Sequence, residues 1–180
     1  MDWDSITDSP AGDFRKQRAE ARERVKQEAQ LEDARGLLRM PLSIGSSYHI
    51  YTGAQFDIYN VLQVIMDHHG TVDSFSLLAW TLGAYQLKDL IARFDAGKIQ
   101  AIDIHTGLSW GSGDHNLAHL KEAANERGWG WKQSHTHAKL YRIKAGTFHY
   151  SIQSSGNLNP NPNGEQVVIH LDRVIYQHFE

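Results

Sequence analysis

Residues 135–141 read His-Thr-His-Ala-Lys-Leu-Tyr, residues 154–158 read Ser-Ser-Gly-Asn-Leu, and residues 164–169 read Gly-Glu-Gln-Val-Val-Ile. The first stretch has the pattern of a β-strand, and side chains at positions i and i+2 of a strand point to the same face. His137 and Lys139 are therefore expected to project together into one site.

The two later stretches add polar groups to the same site. Ser155 and Asn157 are again two residues apart, at the end of a second apolar strand, and Glu165 follows them. An imidazole, an ammonium, a hydroxyl, an amide and a carboxylate together suit attack on a phosphodiester. In that reaction a histidine attacks phosphorus while lysine and asparagine hold the non-bridging oxygens. His135 shares the predicted face of His137, where it would contact substrate or line the pocket.

This order of motifs resembles the phospholipase D superfamily, and within it the single-motif nuclease branch. The family's His-x-Lys motif matches residues 137–139, and its Gly-Ser-x-Asn motif matches residues 154–157 with serine in place of the first glycine. The downstream acidic residue of the family matches Glu165. The likeness covers about residues 42–180.

The resemblance implies a metal-independent phosphodiesterase without a cofactor, in which His137 forms a phosphohistidine intermediate. Lys139 and Asn157 would stabilise the charge that develops on the phosphoryl oxygens, and Ser155 would add a hydroxyl donor. Glu165 would hydrogen-bond the imidazole and fix its tautomer, as the acid of a catalytic triad does.

Two departures from the two-motif members of the family bear on function. Lys144 stands where the family pattern has aspartate, which argues against a lipid-cleaving enzyme more than against catalysis. The His-x-Lys motif occurs once, whereas an in-line displacement needs one imidazole to attack and another to protonate the leaving oxygen. We therefore expect a homodimer with one composite active site at its two-fold axis.

Composition restricts the class of protein further. The chain of 180 residues has 41% hydrophobic residues, which is enough for one ordinary domain, and no cysteine, which excludes a disulfide framework and thiolate zinc sites. We see no secretory signal and no apolar stretch long enough for a membrane span, and we expect a cytoplasmic protein.

The net charge of −3 gives no global attraction for nucleic acid, so any positive potential must be local. We expect such a patch around the site from four basic side chains, Lys132, Lys139, Arg142 and Lys144. Trp110, in a glycine-rich stretch, is a further candidate for substrate contact, whereas Trp80 lies in a predicted core strand and is interpreted as packing.

The alternation of apolar strands and amphipathic helices after residue 41 predicts an α/β domain over residues 41–180. We expect a mixed, mostly parallel sheet with helices on both faces, including a helix at 84–95 and strands at 129–143 and 166–171. Residues 1–40 are predicted to form a charged arm, helical or mobile, in which opposite charges recur at i,i+4. That arm is either a solvated surface helix or a segment that docks on a partner or on DNA.

Two other interpretations of the chain stay open. His115 and His119 are spaced to share a metal on a helix, although surface residues are the more common outcome and no metal site is predicted. The fold could also belong to a catalytically silent nucleic-acid-binding or structural protein.

Overall fold

The computed structural model describes residues 10–108, 110, 115–158 and 163–179, with side chains described from residue 17 onward. This part of the chain contains five helices: α1 Pro10–Leu37, α2 Ile58–His69, α3 Ala84–Asp95, α4 His115–Arg127 and α5 Arg173–His178. It contains seven strands: β1 Ser46–Tyr51, β2 Ser74–Ala79, β3 Ile102–Gly107, β4 Gly130–Ser134, β5 Leu140–Ala145, β6 Phe148–Ser154 and β7 Gln166–Leu171. The sequence also predicts Asp114 as the N-cap of a helix that runs to Arg127, and Asp114 lies outside the described residues.

The seven strands form one sheet in the order β1-β7-β6-β5-β2-β3-β4. Four of the six neighbouring pairs are antiparallel and two are parallel, so the prediction of a mostly parallel sheet was wrong. The reason is that β5 inserts between β2 and β6. A tight turn through Gly146 joins β5 to β6, and β7 returns beside β6, so each of these strands opposes its neighbours.

The strand predicted at 129–143 is in fact two strands. β4 lies at one edge of the sheet, and β5 lies on the far side of β3 and β2. The connection, residues 135–139, must therefore cross the ends of both intervening strands. We call residues 135–139 the crossing segment.

One face of the sheet is apolar and buried. Its side chains include Phe75, Leu77, Ile104, Tyr141, Ile143, Ile152 and Ile169. Helices α2 to α4 cover this face because the crossovers between β1, β2, β3 and β4 all proceed in one direction and are right-handed. Contacts from α2 to β6 (His69 Nε2 to Tyr150 Oη, 2.8 Å) and from α4 to β4 (Lys121 over the ring of Trp131, 5.2 Å) agree with this arrangement.

The opposite face carries only the short helix α5 among the described helices. Tyr176 of α5 packs against His149 of β6, with ring centroids 5.1 Å apart, and lies under the guanidinium of Arg142. Helices thus lie on both faces, as predicted, but three long ones cover one face and a single short one the other. Much of this second face is polar and half-exposed, as at Ser76.

Helix α1 packs on α2 through the C-terminal part of its length. Gln27, Ala34 and the following Leu38 are buried, and Arg35 forms an ion pair with Asp67 of α2 at 2.9 Å. Side chains 17–26 are all exposed. Among the described helices, none is both long and apolar enough to cross a bilayer.

Candidate active site

The crossing segment carries His137 and Lys139 over the C-terminal ends of β3 and β2. It is not a strand, so the shared face that we inferred from i,i+2 strand spacing does not apply here. The two side chains nevertheless meet. Lys139 Nζ lies 3.0 Å from His137 Nδ1, and the ammonium also donates to the carbonyl oxygen of His137 at 2.9 Å.

The ammonium and the imidazole are close enough to bind one phosphate between them. His137 is exposed, and Lys139 is partly buried. Burial lowers the pKa of Lys139 below its ordinary value, and the negative charge of Glu165 opposes this shift. Glu165 therefore lies within electrostatic range of the ammonium.

Asn157 lies just after β6 and is oriented by the main chain of Trp80. Its Oδ1 accepts a hydrogen bond from the Trp80 backbone N–H at 3.1 Å. Because that partner is a donor, the amide oxygen must face it, and the Nδ2 amino group is left to donate elsewhere. Leu158 continues the contact, since its carbonyl accepts from Gly83 N–H at 2.7 Å. The asparagine loop is thus fixed to the chain that leaves β2.

Trp80 also contacts the histidine, which sequence reasoning missed. Its indole lies 5.3 Å from the imidazole of His137, between ring centroids, at an interplanar angle of 56°. The other neighbour of the indole is Gly107, where an added Cβ would lie 2.5 Å from Trp80 Cδ1. Trp80 therefore joins the two halves of the site, with its ring against His137 and its backbone on Asn157. From the sequence, Trp80 was placed in a core strand and interpreted as packing, whereas β2 ends at Ala79.

Replacing Trp80 with alanine should lower kcat by roughly 10- to 100-fold, because a small displacement of a reacting group has an effect of that size. Steady-state cleavage kinetics and thermal unfolding should be measured together. Trp129→Ala is the matched control, because it removes a buried indole at the opposite end of β4. It should lower the melting temperature and leave kcat unchanged. Equal losses of kcat in both variants would assign Trp80 a purely structural role.

Ser155, which is exposed, pairs with the buried Glu165. The Ser155 hydroxyl donates to Glu165 Oε2 and accepts from the backbone N–H of Gln166 at 3.0 Å. Glu165 is 5% exposed, and its backbone N–H donates to Thr52 Oγ1 at 2.9 Å. The single hydroxyl proton of Ser155 is therefore used within the fold, which differs from its predicted role as a donor to phosphate.

Glu165 was also expected to hydrogen-bond the catalytic imidazole. Among the described residues, the hydrogen-bond partner of the His137 ring is Lys139, so that bond is not formed in this structure. The carboxylate instead holds the loop that carries Asn157. The loop packs so closely that a Cβ on Gly156 would lie 2.6 Å from Glu165 Cδ. This close approach explains the glycine of the Ser-Ser-Gly-Asn stretch.

A groove of about 600 Å³ adjoins these residues. Besides His137 and Lys139, it is lined by the apolar side chains of Leu78, Leu140 and Phe179 and by polar residues from the end of β6 and just after it, Gln153, Ser154 and Ser155. The groove lies on the sparsely covered face of the sheet. A substrate could therefore reach the imidazole directly from solvent.

The predicted basic patch is only partly assembled at this site. Lys132 is exposed on the edge strand β4, and His135 is exposed at the start of the crossing segment. Arg142 points away from the crossing segment, since its Nε donates to Ser76 Oγ at 3.1 Å and its guanidinium lies 5.1 Å from the centre of the Tyr176 ring. Lys144 lies at the other end of β5, 3.8 Å from Asp73.

The location of Lys144 has a consequence for the departure from the family pattern. It is five positions along the chain from Lys139, or roughly 16 Å in an extended chain. The lysine that stands where the resembled family has aspartate therefore does not contact His137 or Lys139, and the predicted substrate contact is not supported by its position.

Trp110 was predicted to contact substrate but is 4% exposed and packs in the hydrophobic core. Gly111 and Gly113, which follow it, lie outside the described residues. His115 and His119 stack on α4 with ring centroids 4.2 Å apart, and both are exposed. Within the described ranges, no group of three histidine or acidic residues is arranged as metal ligands.

Comparison with known proteins bears on the fold. No model of a known protein family matches the chain, and no curated protein sequence matches it. A polyphosphate kinase from Porphyromonas gingivalis is similar in structure, with a TM-score of 0.55, 18% identity and coverage of 73% of this chain and 24% of the kinase. TrmBL2, described as an archaeal chromatin protein with a novel mode of DNA binding, has a TM-score of 0.50 and 15% identity, and the match covers 93% of this chain and 60% of that one.

The chain thus spans less than two thirds of either similar protein. At such low identity the likeness shows the fold alone. Together with the sheet described above, it shows an α/β, phospholipase D-like fold.

Proposed function

We propose that the protein is a phosphodiesterase that hydrolyses nucleic acid through a phosphohistidine intermediate. The observation that carries the proposal is the convergence of His137, Lys139 and Asn157, which come from two separate segments of the chain and are joined by Trp80. One similar structure is named as a polyphosphate kinase, which supports chemistry on phosphate. The other is named as a chromatin protein with a novel mode of DNA binding, which supports nucleic acid as the substrate.

The reaction begins when a phosphodiester enters the groove. Lys139 gives up its hydrogen bond to His137 Nδ1 and donates to a non-bridging oxygen, and the Nδ2 group of Asn157 donates to the same phosphoryl group. The imidazole proton moves from Nε2 to Nδ1 through solvent, which frees the lone pair of Nε2. Nε2 of His137 then attacks phosphorus. A phosphorus–nitrogen bond forms as the bond to the leaving oxygen breaks, and a second imidazole gives that oxygen its proton. Water next attacks phosphorus, loses its proton to the second imidazole, and releases His137.

The second imidazole comes from a second copy of the chain. A single ring cannot lie on both sides of an in-line displacement, and the motif occurs once in this sequence. His137 is exposed beside an open groove, which leaves room for its symmetry mate across a two-fold axis. We therefore propose a homodimer with one composite active site.

Mixing subunits tests the composite site. When wild-type protein exchanges with a ninefold excess of His137→Asn protein, about one tenth of the wild-type subunits remain in wild-type dimers. Cleavage activity per wild-type subunit should therefore fall to about one tenth if each site needs both histidines. Light scattering should report dimers throughout. Activity that is unchanged after exchange would show that each subunit works alone.

The function itself is tested by incubating purified protein with plasmid DNA, single-stranded DNA and RNA in EDTA. Cleavage in the chelator is expected, because the proposed chemistry uses no metal. Loss of activity on chelation and recovery with one added metal ion would contradict the mechanism. Binding without cleavage would favour a catalytically silent nucleic-acid-binding protein. The contact of Glu165 with Ser155 gives that second candidate some support, since the carboxylate does not activate His137 in this structure.

The pH dependence of cleavage should report Lys139, which must be protonated to hold the phosphoryl oxygen. Because burial lowers its pKa, kcat/KM should fall as pH rises, with a midpoint below the ordinary lysine value of 10.5. Lys139→Arg should move this alkaline limb to higher pH, since a guanidinium does not titrate there. If kcat/KM of the arginine variant falls at the same pH as that of the wild type, a group other than Lys139 causes the fall.

A further inference from the structure

Helix α1 runs parallel to α2 and extends beyond it. Near its C-terminus, Arg35 pairs with Asp67 at the C-terminal end of α2. Near its middle, the positive charge of Lys26 acts on Asp57, the N-cap of α2, where it opposes the rise in pKa that burial causes. Two helices in parallel register have the same rise per residue, so residues 10–26 project about 25 Å past the start of α2.

The projecting part of α1 leaves the domain on the side where the strand ends carry the candidate active site. Asp57 lies shortly after the C-terminal end of β1. There the backbone N–H of Thr52 donates to the carbonyl oxygen of Glu165, and the Thr52 hydroxyl accepts from the backbone N–H of Glu165. The charges of Asp57 and Glu165 both act on buried Tyr141, whose pKa is raised mainly by burial. The hydroxyl of Tyr141 in turn donates to Gly156 O at 3.0 Å, next to Asn157. The start of α2, beside which the projecting part of α1 begins, and the loop that carries Asn157 therefore lie at the same end of the strands.

The charge on the projecting part is arranged by face. Arg18, Arg22 and Lys26 are spaced by four residues, which places them within about 80° on a helix. Arg18 and Arg22 point away from the side of α1 that is buried against α2, Lys26 lies at the border of that side near Asp57, and all three are exposed. Residues 17–26 contain four cationic and two acidic residues, a net charge of +2 in a chain whose total is −3.

The composition of residues 10–26 argues against a hydrophobic partner. Their apolar residues besides Pro10 are Ala11, Phe14, Ala19, Ala21 and Val25, which are too sparse for a coiled-coil seam. A partner that supplies negative charge at regular spacing along the helix fits this part better.

We infer that the N-terminal half of α1 is a nucleic-acid-binding arm, in which Arg18, Arg22 and Lys26 contact backbone phosphates and direct the strand toward His137. The inference rests on the proposed function, because it assigns the arm to the same polyanionic substrate. Phosphate contacts of this kind fix position and carry no sequence preference.

The test uses full-length protein carrying His137→Asn, so that substrate survives the measurement. Binding of a fluorescein-labelled DNA duplex is followed by anisotropy over a range of NaCl concentrations. Replacing Arg18, Arg22 and Lys26 together with glutamine should weaken binding by about tenfold or more and reduce the slope of log K against log salt by about 2 to 3. Arg22→Gln and Arg24→Gln are the matched pair, because Arg24 is equally exposed but lies on another face. Only Arg22→Gln should change the slope, by about one.

A small substrate separates the arm from the chemistry. On the wild-type catalytic background, the triple variant should hydrolyse bis(p-nitrophenyl) phosphate at the wild-type rate and cleave DNA more slowly. If the wild-type protein hydrolyses neither substrate but the variants show the expected changes in DNA affinity and salt slope, the proposed function is wrong and the inference of a DNA-binding arm is supported. Unchanged affinity and slope in the triple variant would overturn the arm, as would equal effects of Arg22→Gln and Arg24→Gln. A change of oligomeric state in the triple variant would also overturn it and identify α1 as a subunit interface.

Discussion

His137→Asn should abolish cleavage, with a loss of about 10⁴-fold or more in kcat, because a nucleophile and the groups around it act as a unit. Asparagine retains a polar side chain of similar reach but cannot form the phosphoramidate bond. Since His137 is exposed, the substitution should leave thermal unfolding unchanged. Single-turnover cleavage of a labelled oligonucleotide provides the range that this measurement needs.

His135→Asn is the control, because His135 is exposed in the same segment but lacks the contacts of His137 with Lys139 and Trp80. Its effect should be mild. Quenching the wild-type reaction with detergent at alkaline pH, where a phosphorus–nitrogen bond survives, should trap a labelled protein adduct that is absent from His137→Asn. Near wild-type cleavage by His137→Asn would remove the covalent mechanism whatever the fold.

Lys139→Ala should lower kcat by about 10²- to 10³-fold, the usual effect of removing one charge-stabilising donor from a transition state. The loss should fall mainly on kcat, because the charge on the phosphoryl oxygens develops as phosphorus is attacked. Lys144→Ala is the matched control, since Lys144 lies at the other end of β5 beside Asp73. Equal losses in the two variants would point to general electrostatic attraction of substrate, and an increased KM alone would assign Lys139 to binding.

Local patterns in the sequence predicted many elements of the fold correctly. The helix at 84–95 and the strand at 166–171 have the predicted bounds, because their apolar periodicity and flanking turn residues are local properties. The choice of strand partners is not local. Nothing in residues 140–145 states that they pair with β2 on one side and β6 on the other, and this insertion makes most of the sheet antiparallel.

The candidate site was predicted in its residue types and less well in its contacts. The motifs identified His137, Lys139 and Asn157. The structure places all three near the C-terminal ends of β2 and β3. The geometry that we assumed for them was wrong, since a strand was expected where the chain crosses the sheet. Trp80 was overlooked because it was placed within a predicted core strand, where a tryptophan is usually packed in the core. Its contact with Asn157 uses a backbone N–H, which no sequence pattern displays.

The position of the crossing segment outside the sheet predicts that the two halves of the site move on different timescales. Asn157 is tied to the backbone after β2, whereas residues 135–138 lie outside every described strand. Opening of the crossing segment therefore need not break the sheet, and its amides should exchange with deuterium faster than those of β5 and β6. We therefore expect the proposed nucleophile to belong to a local folding unit of lower stability than the one that holds Asn157. Such a pairing would let the imidazole adjust to phosphates of different orientation while the scaffold stays fixed, as the proposed cleavage at many positions along a polymer requires.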